Sequence, residues 1–229
     1  MKIVYWSDYA CPYCYIGEVR MKKALSELGI TADLKMKAFR LDPYAGQHAE
    51  SDTVTRFAKK YMLSNEQAAA NIEHISQLGK AEGLDFKYAT TLFTNTMDAH
   101  RLTKLAQSKS AELADAVSEK LYKAYFTDNL ELADRELLTK IGTECGLDET
   151  EITEMLESDR YEDDVRLDER EAARYGIHGV PYFVINGKLA ISGAEATDTL
   201  KIALAKAAKE GAVEPAQGMT CGPDGCKVG

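Results

Sequence analysis

The sequence predicts an α/β protein in which a strand-bearing domain is split by a large all-helical insertion. Three observations carry that expectation. A strand–helix–strand pattern opens the chain, a long run of helical periodicity fills its middle, and strand grammar with a tight turn returns near residue 182. The bulk numbers agree with a globular protein: 229 residues, 45% hydrophobic and 28% charged. A net charge of −9 argues against a nucleic-acid partner, which would want clustered Lys and Arg. No apolar run approaches the roughly 20 residues needed to cross a bilayer, so no membrane role is expected. The N-terminus has one Lys and then strand, without the apolar core and cleavage site of a secretory leader. The expected location is therefore the cytoplasm.

Residues 2–6 read as a buried strand, with Ile3, Val4, Tyr5 and Trp6 consecutive. The helix that follows places Met21, Ala24, Leu25 and Leu28 on one stripe and stops at Gly29. From Ala32 to Phe39 the pattern alternates, with Leu34, Met36 and Ala38 set against Asp33, Lys35 and Lys37. A unit of this length is most simply a parallel βαβ. From about Thr53 to Tyr175 nearly everything reads helical. Ser64 with Gln67 forms a capping box for a helix running to about Gly79. Further helices are expected near 96–107, 111–126, 134–145, 149–157 and 161–175. Leu113, Val117, Leu121 and Tyr125 give one stripe, and Leu138, Ile141 and Cys145 another. The acidic run Glu162-Asp163-Asp164 suits a solvated helix N-terminus. Strand grammar returns at Tyr182–Ile185, Asn186-Gly187 signals a hairpin into Lys188–Ser192, and a last helix is expected from about Ala194 to Lys209. The resulting division is a discontinuous domain over 1–46 and 176–210, a helical insertion over 47–175 and a mobile tail over 211–229.

Cysteine placement points to chemistry. Of five cysteines, Cys11 and Cys14 bracket Pro12-Tyr13 at the first strand-to-helix junction, and Cys221 and Cys226 stand near the C-terminus. A C-x-x-C at that junction suits reversible thiol exchange. The first thiol falls among free N–H groups at the positive end of a helix dipole, which favours its thiolate. The second lies one turn on, close enough for a disulfide. Pro12 is tolerated in the first turn. In the tail, Gly222-Pro223-Asp224-Gly225 reads as a β-turn that draws Cys221 and Cys226 together. The chain from Lys209 to Cys221 reaches roughly 40 Å if extended, so a second redox pair exchanging electrons with the first is expected.

Separated motifs in a fixed order resemble the DsbA-like branch of the thioredoxin superfamily over about residues 1–205. They are Cys11-Pro12-Tyr13-Cys14 after the first strand, the helical insertion, and Gly179-Val180-Pro181-Tyr182-Phe183 before a late strand. Four further stretches look like the FrnE-type subgroup. These are Ser7-Asp8 ahead of Cys-Pro-x-Cys-Tyr-Ile-Gly, Phe39-Arg40-Leu41-Asp42-Pro43, Asn95-Thr96-Met97-Asp98-Ala99-His100-Arg101-Leu102, and Val184–Gly187 with Ile191-Ser192-Gly193. The resemblance implies a thioredoxin fold, a central mixed sheet flanked by helices, and dithiol–disulfide exchange on protein substrates. It implies that Cys11 attacks, that Cys14 resolves, and that Pro181 follows a cis bond and lies against the disulfide. The Val180 backbone would then pair with an incoming peptide as an added strand, with Pro12 and Tyr13 also at the substrate. Tyr13 replaces the Trp associated more often with that position, and Pro-Tyr between the thiols predicts a less extreme oxidant than Pro-His. Asn95 and His100 belong to the family pattern without an assigned role.

No cofactor and no metal are expected. The expected partners are protein thiols and disulfides, with a cellular thiol reductant or oxidant to recycle the pair. The competing readings are a glutathione-dependent isomerase or transferase of the kappa/hydroxychromene-carboxylate type, which typically carries Ser at the nucleophile position, and a redox-inactive chaperone. For the four cysteines at the two ends the alternative is a zinc site, disfavoured because zinc pairs sit on knuckle turns. The histidines at 48, 74, 100 and 178 show no ligand spacing, and His178 stands close to the proline loop. Cys145 reads as a small buried hydrophobe. Asp8 is open between tuning the thiols and simply making a turn. Trp6 and Tyr15 read as core or rim.

Overall fold

Strand alternation decides how the first segment is used. β1 (Lys2–Ser7) places Ile3 and Tyr5 on one face and Val4 and Trp6 on the other, and both faces are covered. The strand therefore sits inside a sheet. In the computed structural model, which describes residues 1–211, 220–222 and 225–227, β1 pairs in parallel with β2 (Asp33–Ala38). It pairs antiparallel with β3 (Tyr182–Ile185), and β3 pairs antiparallel with β4 (Leu189–Ser192). The order β2-β1-β3-β4 makes a mixed sheet. Cross-strand aromatic pairs fix its register: Tyr5 stacks on its partner Phe183 at 5.4 Å, and Trp6 meets Tyr182 edge-on at 6.5 Å. At the β3–β4 turn both Asn186 (φ 51) and Gly187 (φ 68) are left-handed, as the Asn-Gly signal requires.

α1 (Pro12–Glu27) connects β1 to β2 and buries Met21, Ala24 and Leu25. α9 (Thr197–Gly211) packs on it, with Leu200 and Leu204 buried. This last helix begins three residues later than the sequence suggests. Gly193 takes φ 88, its N–H goes to the Pro181 carbonyl at 2.8 Å, and Arg20 claims the Ala194 carbonyl at 2.8 Å. The chain is thus held in a turn until Ala196 accepts the first helical hydrogen bond from Leu200.

Between β2 and β3 lie α2 (Thr53–Tyr61), α3 (Asn65–Ala81), a 3-10 turn at Tyr88–Thr90, α4 (Met97–Gln107), α5 (Ala111–Phe126), α6 (Arg135–Cys145), α7 (Glu149–Glu157) and α8 (Glu162–Arg174). The Ser64/Gln67 capping box forms, with Ser64 Oγ accepting from the Gln67 N–H at 3.2 Å and Gln67 Oε1 accepting from the Ser64 N–H at 3.0 Å. Val117, Leu121 and Tyr125 of the predicted stripe are buried, and the acidic run occupies the first turn of α8. Cys145 ends α6 only half-buried, short of the full burial expected of it, and burial pushes its thiol up.

α8 closes the sheet face opposite α1. Trp6 packs there with Ala172 and Ile177 and donates its indole N–H to the Asp168 carbonyl at 3.0 Å. The Asp168 carboxylate accepts the Ala38 N–H at 2.9 Å, pairs with Lys104, and has Lys37 at 3.9 Å. In the tail, β5 (Thr220–Gly222) and β6 (Gly225–Lys227) form an antiparallel ribbon with Cys221 opposite Cys226. The turn residues Pro223 and Asp224, and most of the tail expected to be mobile, lie outside the described residues.

Candidate active site

The end of β1 delivers four consecutive side chains to the helical insertion. Trp6 reaches α8 as described. Ser7 Oγ lies 2.6 Å from the Tyr122 hydroxyl on α5. Asp8 Oδ1 lies 3.4 Å from His100 Nε2 on α4, and the Tyr9 hydroxyl lies 2.5 Å from Thr103 Oγ1, also on α4. The segment that leads into the Cys-Pro-Tyr-Cys turn is therefore held by three helices. Beneath it Tyr15 stacks on Tyr122 at 4.7 Å, with Phe126 and Phe86 behind. Trp6 and Tyr15 are both core residues.

Cys11 is the N-cap of α1, with extended backbone at φ −93 and ψ 113, and Pro12 occupies the first turn. Its N–H donates to the Asp8 carbonyl at 3.0 Å, and the Cys14 N–H donates to the Cys11 carbonyl at 3.1 Å. The Cys11 thiol makes no capping bond and turns to the Val180 carbonyl at 3.5 Å. The Val180–Pro181 bond is cis. Both cysteines are free thiols, and their surroundings differ. Cys14 is 0% exposed and Cys11 4%, so Cys14 offers no surface to a second molecule while Cys11 keeps a little. Burial, and after it the neighbouring Cys11, push the Cys14 thiol well above its ordinary range, against smaller opposing pulls from Ser7 and the Asp8 backbone. Tyr13 is exposed at the rim, its phenol raised by partial burial and then by Cys11 and Tyr61.

The structure thus brings together Cys11, Pro12, Tyr13, Cys14, Val180 and Pro181. His178 is exposed in the loop before them. Of the tail pair, the backbone register alone is described. Among the described residues no cluster of three or more His, Cys, Asp or Glu is placed to hold a metal.

Two family-pattern stretches acquire physical roles here. The Leu41 N–H donates to Asp8 Oδ2 at 2.7 Å, and Arg40 forms a two-point contact with Glu169 at 2.7 and 3.1 Å. Asn95 clasps the loop before α2, donating to the Ala45 carbonyl at 3.0 Å and accepting from the Met97 N–H at 2.8 Å. Arg101 is buried and braces α4 against the end of α7, donating to the Ser158 and Arg160 carbonyls at 2.5 and 2.8 Å.

Gly17 is the site residue to which sequence reasoning gave no role. A Cβ there would lie 2.9 Å from Pro181 Cγ and 3.4 Å from Ala194 Cβ, so a bare backbone lets the proline loop approach α1 one turn below Cys14. The signal was present as the Gly of Cys-Tyr-Ile-Gly. Gly17→Ala is expected to separate stability from activity. Overpacking costs about 1–3 kcal/mol, and the helix preference for Ala returns about 1 kcal/mol. Net stability should then change by under about 2 kcal/mol, while displacement of Val180 from Cys11 cuts turnover about tenfold. Urea unfolding beside an insulin-reduction assay measures both, and a simple loss of stability at full specific activity would refute the role.

Comparison with known proteins agrees with this geometry. A probable DsbA oxidoreductase from Streptomyces coelicolor shares 34% identity, with a TM-score of 0.86 over 100% of this chain and 99% of that one. The uncharacterized protein YwbO of Bacillus subtilis is 25% identical over 211 residues, covering 90% of this chain and 96% of its own length. A 2-hydroxychromene-2-carboxylate isomerase shares the fold at 12% identity, with a TM-score of 0.71 over 93% of this chain and 98% of that one. The mixed sheet interrupted by helices, the thiols at its first helix and the proline loop facing them fit the DSBA-like thioredoxin domain, the family whose sequence pattern matches residues 2–205, and the chain belongs to that family.

Proposed function

We propose that the protein is a thiol–disulfide oxidoreductase and disulfide isomerase of protein substrates, working through Cys11 and Cys14. The observation that carries this reading is the asymmetry of the pair: the thiol at the head of the helix is turned to the Val180 carbonyl and keeps a sliver of exposure, and the other is fully buried. The Cys11 thiolate attacks a substrate disulfide. A bond forms between Cys11 and one substrate sulfur, and the other sulfur leaves and takes a proton. Cys14 then gives up its proton and attacks Cys11, which expels the second substrate thiol and closes the Cys11–Cys14 disulfide. Two electrons have passed to the substrate, and a cellular dithiol or glutathione restores the pair. Run backwards, the same steps oxidise substrate thiols, the direction depending on relative potentials. Pro12, Tyr13 and the Val180 backbone form the surface met by the substrate.

The domain division at 1–46 with 176–210, and 47–175, belongs to this reading. So does a cytoplasmic location. Subcellular fractionation tests the location. Insulin reduction and reactivation of scrambled ribonuclease test the activity itself. Wild type should perform both and Cys11→Ser neither; a glutathione-dependent small-molecule isomerisation without either activity would favour the alternative.

Cys221 and Cys226 act as a second couple. Residues directly opposite in an antiparallel ribbon have Cα atoms about 4.5–5.5 Å apart, within the roughly 4.4–6.8 Å range of disulfides. The paired register of the two cysteines supports this use. A Cys221→Ser/Cys226→Ser variant is expected to turn over about fivefold more slowly in a reductant-coupled assay, with the Cys11/Cys14 potential unchanged. Equal turnover would remove the tail from the cycle.

A further inference from the structure

Asp8 is 1% exposed and His100 2%, and they meet at 3.4 Å between the sheet domain and α4. A buried carboxylate is costly without a counter-charge and full hydrogen bonding. Asp8 has both. Oδ2 accepts the Leu41 N–H at 2.7 Å, Oδ1 faces the Ala10 N–H at 3.5 Å, and the imidazole closes the remaining side. Burial alone would raise its carboxyl; His100, then the Leu41 N–H and Thr96, outweigh that and hold it below its ordinary value. The Tyr9 ring lies against the imidazole at 5.0 Å. The Tyr125 phenol on α5 lies close enough to feel both Asp8 and Cys11.

The backbone of this same residue serves both cysteines. Its carbonyl accepts the Cys11 N–H at 3.0 Å, and its peptide lies against the Cys14 sulfur. A carboxylate borne by the residue whose backbone holds both cysteines adds negative charge on the side of the dithiol, and negative charge there disfavours a second anion. A protonated imidazole beside it cancels that opposition and pins the Asp8 peptide in place.

We propose that His100 is a positioning residue of the redox centre: as an imidazolium it neutralises and anchors Asp8, so that a helix of the insertion sets the reduction potential of the Cys11/Cys14 couple. The proposal rests on the dithiol reading above. Removing the cation leaves the carboxylate unbalanced, disfavours the reduced thiolate form and stabilises the disulfide, which makes the protein a weaker oxidant.

The experiment equilibrates wild type, His100→Gln and Asp8→Asn/His100→Gln with glutathione redox buffers and quantifies the Cys11–Cys14 disulfide by alkylation. Thiolate absorbance at 240 nm is followed against pH in parallel. The expected result for His100→Gln is an equilibrium constant shifted about tenfold toward the disulfide, about 30 mV for a two-electron couple, with thiolate formation moved to higher pH. The double variant should return to within about threefold of wild type, because without the carboxylate no counter-charge is needed. A residue that merely supports the fold would give no such rescue. Unchanged values in His100→Gln, or single and double variants equally shifted, would overturn the proposal. Should His100→Gln fail to fold, His100→Asn replaces it; failure of both to fold would show a purely structural residue and also overturn it. A wild-type pair that forms no disulfide in any buffer would instead sink the dithiol reading itself.

Discussion

Cys14→Ser is expected to accumulate as a covalent adduct with protein substrate, while Cys11→Ser forms none. The contrast follows from the two sulfurs' surroundings. Cys11 sits at the head of α1 with its thiol turned to Val180, where in the proposed reaction an incoming sulfur would meet it first. Cys14 is sealed beneath it and held protonated by burial. With Cys14 replaced, the first displacement still proceeds and the second has no nucleophile, so the mixed disulfide persists. With Cys11 replaced, the buried thiol is out of the substrate's reach. Insulin reduction should fall by about a thousandfold or more in Cys11→Ser, as when a nucleophile acting in concert with its partners is removed. Non-reducing electrophoresis after incubation with a disulfide-bonded substrate gives the readout: a shifted band for Cys14→Ser, and none for Cys11→Ser or for the double variant. Equal adducts from both single variants would show that the thiols are interchangeable and would refute the assigned order.

The largest expected effect on stability is at Asp168. Its carboxylate is nearly buried, as is Lys104, and it satisfies the Ala38 N–H at the end of β2 with Lys37 close by. Asp168→Ala leaves an ammonium in a poorly solvated site and a strand N–H without its acceptor. Breaking a buried pair from one side costs about 3–5 kcal/mol, a fall in Tm of about 10 °C for a chain of this size. Asp168→Asn keeps an acceptor for Ala38 and should lose roughly half as much. Lys104→Met removes the cation instead and leaves Asp168 with Lys37. Thermal unfolding of the three variants ranks them, and an Ala variant within about 1 kcal/mol of wild type would show the cluster to be solvated in solution.

The sequence made the architecture legible wherever local rules and tertiary packing agree. The buried strand 2–6, the Asn186-Gly187 turn and the Ser64/Gln67 cap each follow from one local mechanism, and each stands in the fold. Legibility fails where a distant group decides. The start of α9 is delayed because Arg20 and the Pro181 carbonyl claim its first backbone groups, which no window of sequence contains. The caps at Met62 (φ 54) and Tyr161 (φ 67) are left-handed without a glycine to announce them. In the site, the thiols and the proline loop were readable from motifs. The contacts of Gly17, Asp8 and His100 were not, although thiol tuning was one of the two readings open for Asp8, because each contact is with another part of the chain: a proline ring at 2.9 Å, a strand-end amide, a carboxylate at 3.4 Å.

The four successive bonds from Trp6, Ser7, Asp8 and Tyr9 to the helices bear on how this protein could have arisen and how it can be engineered. In primary structure the helical block looks like a detachable cassette. Excising it would strand an indole, a hydroxyl, a carboxylate and a phenol, all now buried, and strip the cover from the segment that carries the sulfurs. A trimmed minimal version is therefore expected to be an unstable scaffold, and swapping in a relative's cassette should succeed only when those four docking partners travel with it.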